Sequence, residues 1–209
     1  MYILIVMCSG EVKTEIIRKS IHCLIALVPL MASINRAFTL VFLVIGILGY
    51  AIMETLRVKG VKVPVISSLT SLAARSPDTA RFEMGPVTLG LGALLALLLF
   101  SQGNCSPEDL SPAASIAIFA LAFGDGAAGL AGKAFGRLRP PCMFGKSVEG
   151  SLACFFTVLI ISWLALKSIF PALVAACIAA LIEALPLNEF DNLVLPLAVG
   201  FALQLLLGS

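Results

Sequence analysis

Charged side chains are scarce. Asp, Glu, Lys and Arg make up 12% of the 209 residues, where a soluble domain carries about 25%. Beside 60% hydrophobic content and a mean hydropathy of +1.07, that shortage excludes an ordinary water-soluble domain, which has too little interior to hide so much apolar surface. Histidine occurs once, as His22, which argues against a histidine-built metal centre. The six cysteines (Cys8, Cys23, Cys105, Cys142, Cys154 and Cys177) form no CxxC pair, so neither a zinc site nor a disulfide framework is expected. A net charge of +2 gives no basis for nucleic-acid binding. Residues 1–8 are apolar but too short for a signal peptide, and no positive segment precedes them. Strand-like alternation and internal repeats are both missing.

What is present is a series of apolar runs bounded by charges or turn residues. They cover 21–34, 37–56, 85–101, 111–124, 150–166, 169–185 and 192–208. The first is short for a bilayer that needs about 20 residues, so an extension from Ile16 is expected, with Arg18 and Lys19 reaching the interface. Ser111-Pro112 reads as a helix start, and the glycine-rich stretch after 124 as a continuation of the fourth helix. The expectation is an all-α, polytopic integral membrane protein of about seven transmembrane helices. It is expected to form one membrane-embedded domain over 1–209, with cytoplasmic connections at 57–84 and 125–149.

Basic residues give the orientation, because cytoplasmic connections collect Lys and Arg. Lys13, Arg18 and Lys19 precede the first run. Arg57, Lys59, Lys62, Arg75 and Arg81 follow the second, and Lys133, Arg137, Arg139 and Lys146 follow the fourth. Those twelve fall on one side of an alternating topology; Arg36 and Lys167 fall on the other. The N-terminus is therefore expected in the cytoplasm and the C-terminus outside, in a cytoplasmic (inner) membrane.

The strongest chemical signal is Phe123-Gly-Asp-Gly-Ala-Ala-Gly-Leu-Ala-Gly-Lys-Ala-Phe-Gly-Arg137. On a helix turning about 100° per residue, Asp125, Gly129, Gly132 and Gly136 fall within roughly 60° of one another. Such a bare stripe admits a neighbouring helix or a nucleotide phosphate, with Asp125 holding Mg²⁺. Lys133 and Arg137 favour phosphate. An unpaired Asp125 would burden folding, so Asp125→Asn is expected to leave folding and insertion intact. Gly145-Lys-Ser-Val-Glu-Gly-Ser151 ends like a P-loop but lacks the full pattern and the preceding strand. Ser147 there is a candidate helix N-cap, with Glu149 in the first turn. Arg18-Lys19-x-x-His22 opens the first run. Glu54 and Arg57 have the spacing of a helical ion pair. Asp191 is a candidate cap of the last helix. Glu183, inside an apolar run, is a functional candidate by default. All these groups map to one face of the expected topology.

With these residues in place, the chain resembles the dolichol kinase, phytol kinase and CTP-dependent diacylglycerol kinase family. The resemblance rests on Arg18-Lys19-x-x-His22, Glu54-x-x-Arg57, Gly124-Asp125-x-x-Ala128-x-x-x-Gly132-x-x-x-Gly136-Arg137, Lys146-Ser147-x-Glu149-Gly150-Ser151 and Glu183 with Asp191-Asn192. It implies a membrane enzyme moving the γ-phosphoryl group of CTP, or another nucleoside triphosphate, to a long-chain lipid alcohol. Asp125 would hold Mg²⁺. Lys146, Glu149, Glu183, Asp191 and His22 are further catalytic candidates, His22 as a base. Arg18, Lys19, Gly129, Gly132, Lys133, Gly136, Arg137, Ser147 and Asn192 are candidate nucleotide contacts.

Two other readings stay open. The chain is also distantly similar to CDP-diacylglycerol synthases, whose cytidylyl transfer needs the same groups. A small transporter would call for charges at mid-bilayer depth and paired broken helices. The one-face arrangement makes a direct prediction. In a cysteine-free background, Gly60→Cys and Arg139→Cys should react with an impermeant thiol reagent only from the cytoplasmic side, and Asn104→Cys only from outside. Labelling of positions 104 and 139 from the same side would overturn the arrangement.

Overall fold

A backbone in hydrocarbon must satisfy its N–H and C=O groups within its own segment, so apolar runs fold as helices. The computed structural model describes residues 10–61, 82–101 and 111–208, and no strand occurs among them. α1, Gly10–Cys23, passes through a 3₁₀ turn at Leu24–Ala26 into α2, Leu27–Ile34. α3 is Arg36–Val58 and α4 is Gly85–Phe100. α5, Pro112–Phe119, continues through a π-helical turn at Ala120–Asp125 into α6, Gly126–Phe135. α7 is Val148–Leu166, α8 is Ile169–Ala184 and α9 is Asp191–Leu207.

Every expected run is helical. Five rods are long and apolar enough to cross a membrane: Thr14–Ile34, Arg36–Val58, Pro112–Phe135, Val148–Leu166 and Asn188–Leu207. α4 and α8 are apolar but shorter. Within the expected connections, residues 62–81, with Lys62, Arg75 and Arg81, and residues 102–110 lie outside the described residues.

Local chemistry explains the breaks. Pro29, in the first turn of α2, has no N–H for the Ile25 carbonyl and its ring crowds that carbonyl. The chain tightens to 3₁₀ geometry there. Asn35 caps α3 by accepting from Phe38 N at 2.9 Å, and Ser111 caps α5 by accepting from Ala114 N at 3.2 Å, with Pro112 at the first helical position. Arg36 donates to the carbonyls of Leu97 (3.4 Å) and Ser101 (3.2 Å), closing the C-terminal end of α4.

The α5–α6 rod is the most buried of the five spanning helices. Ala113, Ala114, Ala117 and Ala120 on it, and Ala172, Ala175, Ala176 and Ala179 on α8, are fully or almost fully buried. Small side chains let helices approach closely where lipid offers no hydrophobic drive for association. α3 turns large residues such as Phe38, Phe42 and Leu48 outward. Where α4 meets α9, Pro196 withholds the N–H that would have bonded the Asn192 carbonyl, and Gly92 packs directly on that oxygen. Asn192 Nδ2 also donates to Thr88 Oγ1 at 3.1 Å. Phe100 meets Phe201 edge to face at 4.9 Å.

Two glycines test this packing with opposite signs. A Cβ at Gly46 of α3 would meet nothing within 4 Å, so Gly46→Ala should stabilise by about 0.5–1 kcal/mol through helix propensity. A Cβ at Gly92 would overlap the Asn192 carbonyl, so Gly92→Ala should destabilise by about 1–3 kcal/mol. Unfolding in detergent micelles measures both; equal shifts would contradict the α4–α9 crossing.

Candidate functional site

Polar side chains from α1, the α5–α6 rod, α8 and α9 converge with the segment before α7 on one cavity of about 690 Å³. α1 supplies Glu15, Arg18 and Lys19. The π turn supplies Asp125. α6 supplies Gly129, Gly132 and Lys133. α8 supplies Glu183 and α9 supplies Asp191. The segment between α6 and α7 adds Arg139, Phe144, Lys146 and Ser147.

The π turn is where the site begins. Single π turns inside α-helices leave carbonyls for outside donors and recur at functional sites. Here the Leu121 carbonyl accepts from His22 Nε2 at 2.9 Å, and the Ala122 carbonyl from Cys23 Sγ at 3.5 Å. α1 is thereby pinned against the turn. Lys19 Nζ forms an ion pair with Asp125 Oδ2, and His22 Nε2 lies 3.1 Å from the same oxygen. Lys19 is only 3% exposed and Asp125 6%. Arg18 pairs with Glu15 at 2.5 Å. Next to this pair, Lys146 Nζ lies 3.1 Å from Asp191 and 3.5 Å from Glu183. Carboxylate oxygens of Asp125, Glu183 and Asp191 all lie within 4.8 Å of one another. Among the described residues, Arg18 Nε and Glu183 Oε2 are buried without a hydrogen-bond partner.

The segment after α6 is built, not slack. Gly136 leaves the helix with ψ 98°, and Pro140-Pro141 keep the chain from re-entering it. The Glu149 carboxylate accepts from the backbone N–H groups of Arg137 (3.0 Å) and Leu138 (3.1 Å). Arg139 donates to the carbonyls of Gly132 (2.9 Å) and Gly145 (2.5 Å). Gly145, at φ +93°, completes the turn. Ser147 then caps α7 by accepting from Gly150 N at 3.1 Å.

The structure therefore sorts the sequence candidates. Arg18, Lys19, Asp125, Gly129, Gly132, Lys133, Lys146, Ser147, Glu183 and Asp191 line the cavity. His22 stands behind Asp125. Glu149 and Arg137 serve the turn through backbone bonds, and neither lines the cavity. Asn192 ties α9 to α4. Glu54 and Arg57 pair at 2.7 Å, and Glu54 also accepts from Glu83 N at 2.9 Å, away from the cavity. Asp191 is the first residue of α9 rather than its cap. Gly136, expected on the helical stripe, lies beyond the helix end.

The stripe itself divides. A Cβ at Gly132 would come 3.1 Å from Ser147 Oγ, and one at Gly150 would come 2.9 Å from the Ala128 carbonyl, so this part packs α6 on α7. A Cβ at Gly129 would come 2.5 Å from Lys19 Cε, so this part makes room for the lysine. Sequence reasoning missed Glu15 and Arg139 as site residues. Glu15 stands three and four residues before Arg18 and Lys19, a spacing that puts all three on one helix face. Arg139 sits between a glycine-terminated helix and two prolines, in a turn that only tertiary contacts define. Comparison with protein-family models, curated proteins and solved structures finds no match to this chain.

The ion pair corrects one expectation. Asp125 has a buried cation partner, so Asp125→Asn strands Lys19 instead of relieving a lone charge. Breaking one side of a buried pair costs about 3–5 kcal/mol. Lys19→Met should cost that much, and Asp125→Asn on top of it should recover at least half. A double-mutant cycle on unfolding in micelles measures the coupling; additive losses would deny the pair.

Proposed function

We propose that the protein is a lipid kinase of the membrane, transferring the γ-phosphoryl group of CTP or another nucleoside triphosphate to a long-chain lipid alcohol. The observation that carries this reading is the cavity: three converging carboxylates share it with Arg18, Lys19, Lys133, Arg139 and Lys146. Phosphoryl transfer asks little covalent chemistry of a protein. It asks for positioning and for charge neutralisation around phosphate oxygens. The resemblance to dolichol kinase-like enzymes supplies the nucleotide and acceptor classes.

The residues suit Mg²⁺. Hard divalent cations take oxygen ligands; Asp125, Glu183 and Asp191 offer them, and Glu183 Oε2 has no hydrogen-bond partner among the described residues. A bound Mg²⁺ would neutralise charge on the β and γ phosphates. The chain's own cations take the remaining phosphate oxygens, with Arg139 already fixed by its carbonyl partners. Exposed Phe144, held at φ 48° on the cavity rim, offers an apolar edge to the lipid. In the transfer, the lipid hydroxyl oxygen bonds to the γ-phosphorus as the bond to the bridging oxygen breaks. The nucleoside diphosphate leaves with that electron pair, and the hydroxyl proton is released. In this reading α4 and α8 also cross, giving seven spans, and the cavity opens to the cytoplasmic side of the inner membrane, as the basic residues indicate.

The label decides the reaction. γ-Labelled CTP should pass its label to an organic-soluble lipid when a polyprenol, a phytol-like alcohol or diacylglycerol is supplied. α-Labelled CTP should not, and phosphatidate should be inactive. ATP and GTP run alongside fix the nucleotide. Label from the α position in lipid, with pyrophosphate released, would replace the kinase with a cytidylyltransferase. No lipid labelling from any nucleotide, by folded protein, would leave a transporter as the better reading.

A further inference from the structure

Two lysines occupy the three-carboxylate cluster. Lys19 holds Asp125, and Lys146 lies between Asp191 and Glu183. We infer that these two amines are exchangeable counter-ions: a divalent cation takes their place on the carboxylates, and the released amines become ligands of the nucleotide's phosphates. Charge carries the argument. Two ammonium groups and one divalent cation neutralise the cluster equally, so the exchange leaves the cluster's net charge unchanged. Glu183 is 8% exposed, and its Oε2 has no hydrogen-bond partner among the described residues, so the amines leave one buried carboxylate oxygen of the cluster unmet.

The freed amines cannot simply remain. Lys19 is almost fully buried, and a buried cation without a partner is strongly unfavourable. An anion must arrive with the cation. The cavity that receives both lysines is lined by Arg18, Lys133 and Arg139 as well, a setting for a polyphosphate and not for a monovalent anion. Cation and nucleotide therefore bind interdependently, each weakly alone. Arg139 does not take part in the exchange, because its guanidinium is held by backbone carbonyls. The cation half stands on the cluster alone; the nucleotide half rests on the phosphoryl-transfer reading.

The test measures Mn²⁺ binding by electron paramagnetic resonance on purified, folded protein in micelles, with no lipid acceptor and no turnover. Lys146→Met is the decisive variant, since that side chain is 22% exposed and tolerates replacement better than Lys19. Without nucleotide, Lys146→Met should bind Mn²⁺ at least about tenfold tighter than the unaltered protein, within the 5–150-fold range of site coupling. Lys133→Met removes a charge from the same cavity, away from the turn that carries Lys146, and should tighten Mn²⁺ much less. Asp191→Asn should weaken Mn²⁺ by no less than the about 10–100-fold that outer-sphere partners of a metal cost. With β,γ-methylene CTP, the ratio of nucleotide affinities with and without Mn²⁺ should shrink in Lys146→Met; chelation in solution is common to both proteins and cancels. Equal Mn²⁺ affinity in Lys146→Met and the unaltered protein, or equal tightening in Lys133→Met, would overturn the exchange. Unchanged Mn²⁺ binding in Asp191→Asn would overturn the site itself, and should Lys146→Met fail to fold, that measurement and the nucleotide ratio in Lys146→Gln still decide. Tighter Mn²⁺ in Lys146→Met with no label ever reaching lipid would keep the exchange and reject the kinase.

Discussion

A carboxylate on a helix inside an apolar bundle needs a cation, and Asp125 has Lys19. That pair sets much of the architecture. It requires α1, the most polar of the helices, to lie along α6 and the π turn instead of peeling into solvent. It requires Gly129, since any side chain there would displace Lys19. It also draws His22 and Cys23 onto the carbonyls of Leu121 and Ala122. The second pairing, Lys146 with Asp191 and Glu183, does the same for α7, α8 and α9. Two amines thus gather five helices around one cavity.

The remaining packing tolerates that polar centre because it is made of small residues. Alanines on α5 and α8, with Gly132 and Gly150 at the α6–α7 crossing, bring backbones close enough for dispersion contacts to hold the bundle. The same closeness shapes the cavity: Ala128, Gly129, Gly132 and Gly150 bring backbone to its wall, and the longer side chains of Arg18, Lys19, Lys133 and Lys146 fill the space left around them. The turn after α6 contributes rigidity of another kind. Glu149 and Arg139 satisfy backbone groups at a broken helix end, so Lys146 is delivered to the carboxylates from a fixed position.

Glu149 illustrates why residue type alone misleads. A carboxylate two residues after a Lys-Ser pair reads as chemistry, yet its partners are the amides of Arg137 and Leu138. Asn192 next to Asp191 invites the same reading, but one residue along a helix turns a side chain by about 100°, and Asn192 faces α4 while Asp191 faces the cavity. Gly136 looked like the last step of a helical stripe; its extended backbone, at ψ 98°, ends the helix at Phe135. Conversely, Arg139 carried no motif, and its role depends on carbonyls that a turn brings near.

By itself the sequence determined that the chain is helical and apolar enough for a membrane, where most of the apolar helices lie, and that Asp125 at the end of one apolar run and Glu183 inside another call for a reason; it did not show that the first helix reaches back to Gly10. Those features follow from local physics: hydropathy, capping by Ser111, Asn35 and Ser147, and proline breaks. Only the tertiary structure decided which carboxylates meet, which cations hold them, and which polar residues are scaffolding. Asp125 and Asp191 stand 66 positions apart in the chain, and nothing in either neighbourhood states their distance in space. That distance is fixed by helix crossings, and crossings are set by the shapes of facing surfaces, which the linear pattern does not encode one helix at a time.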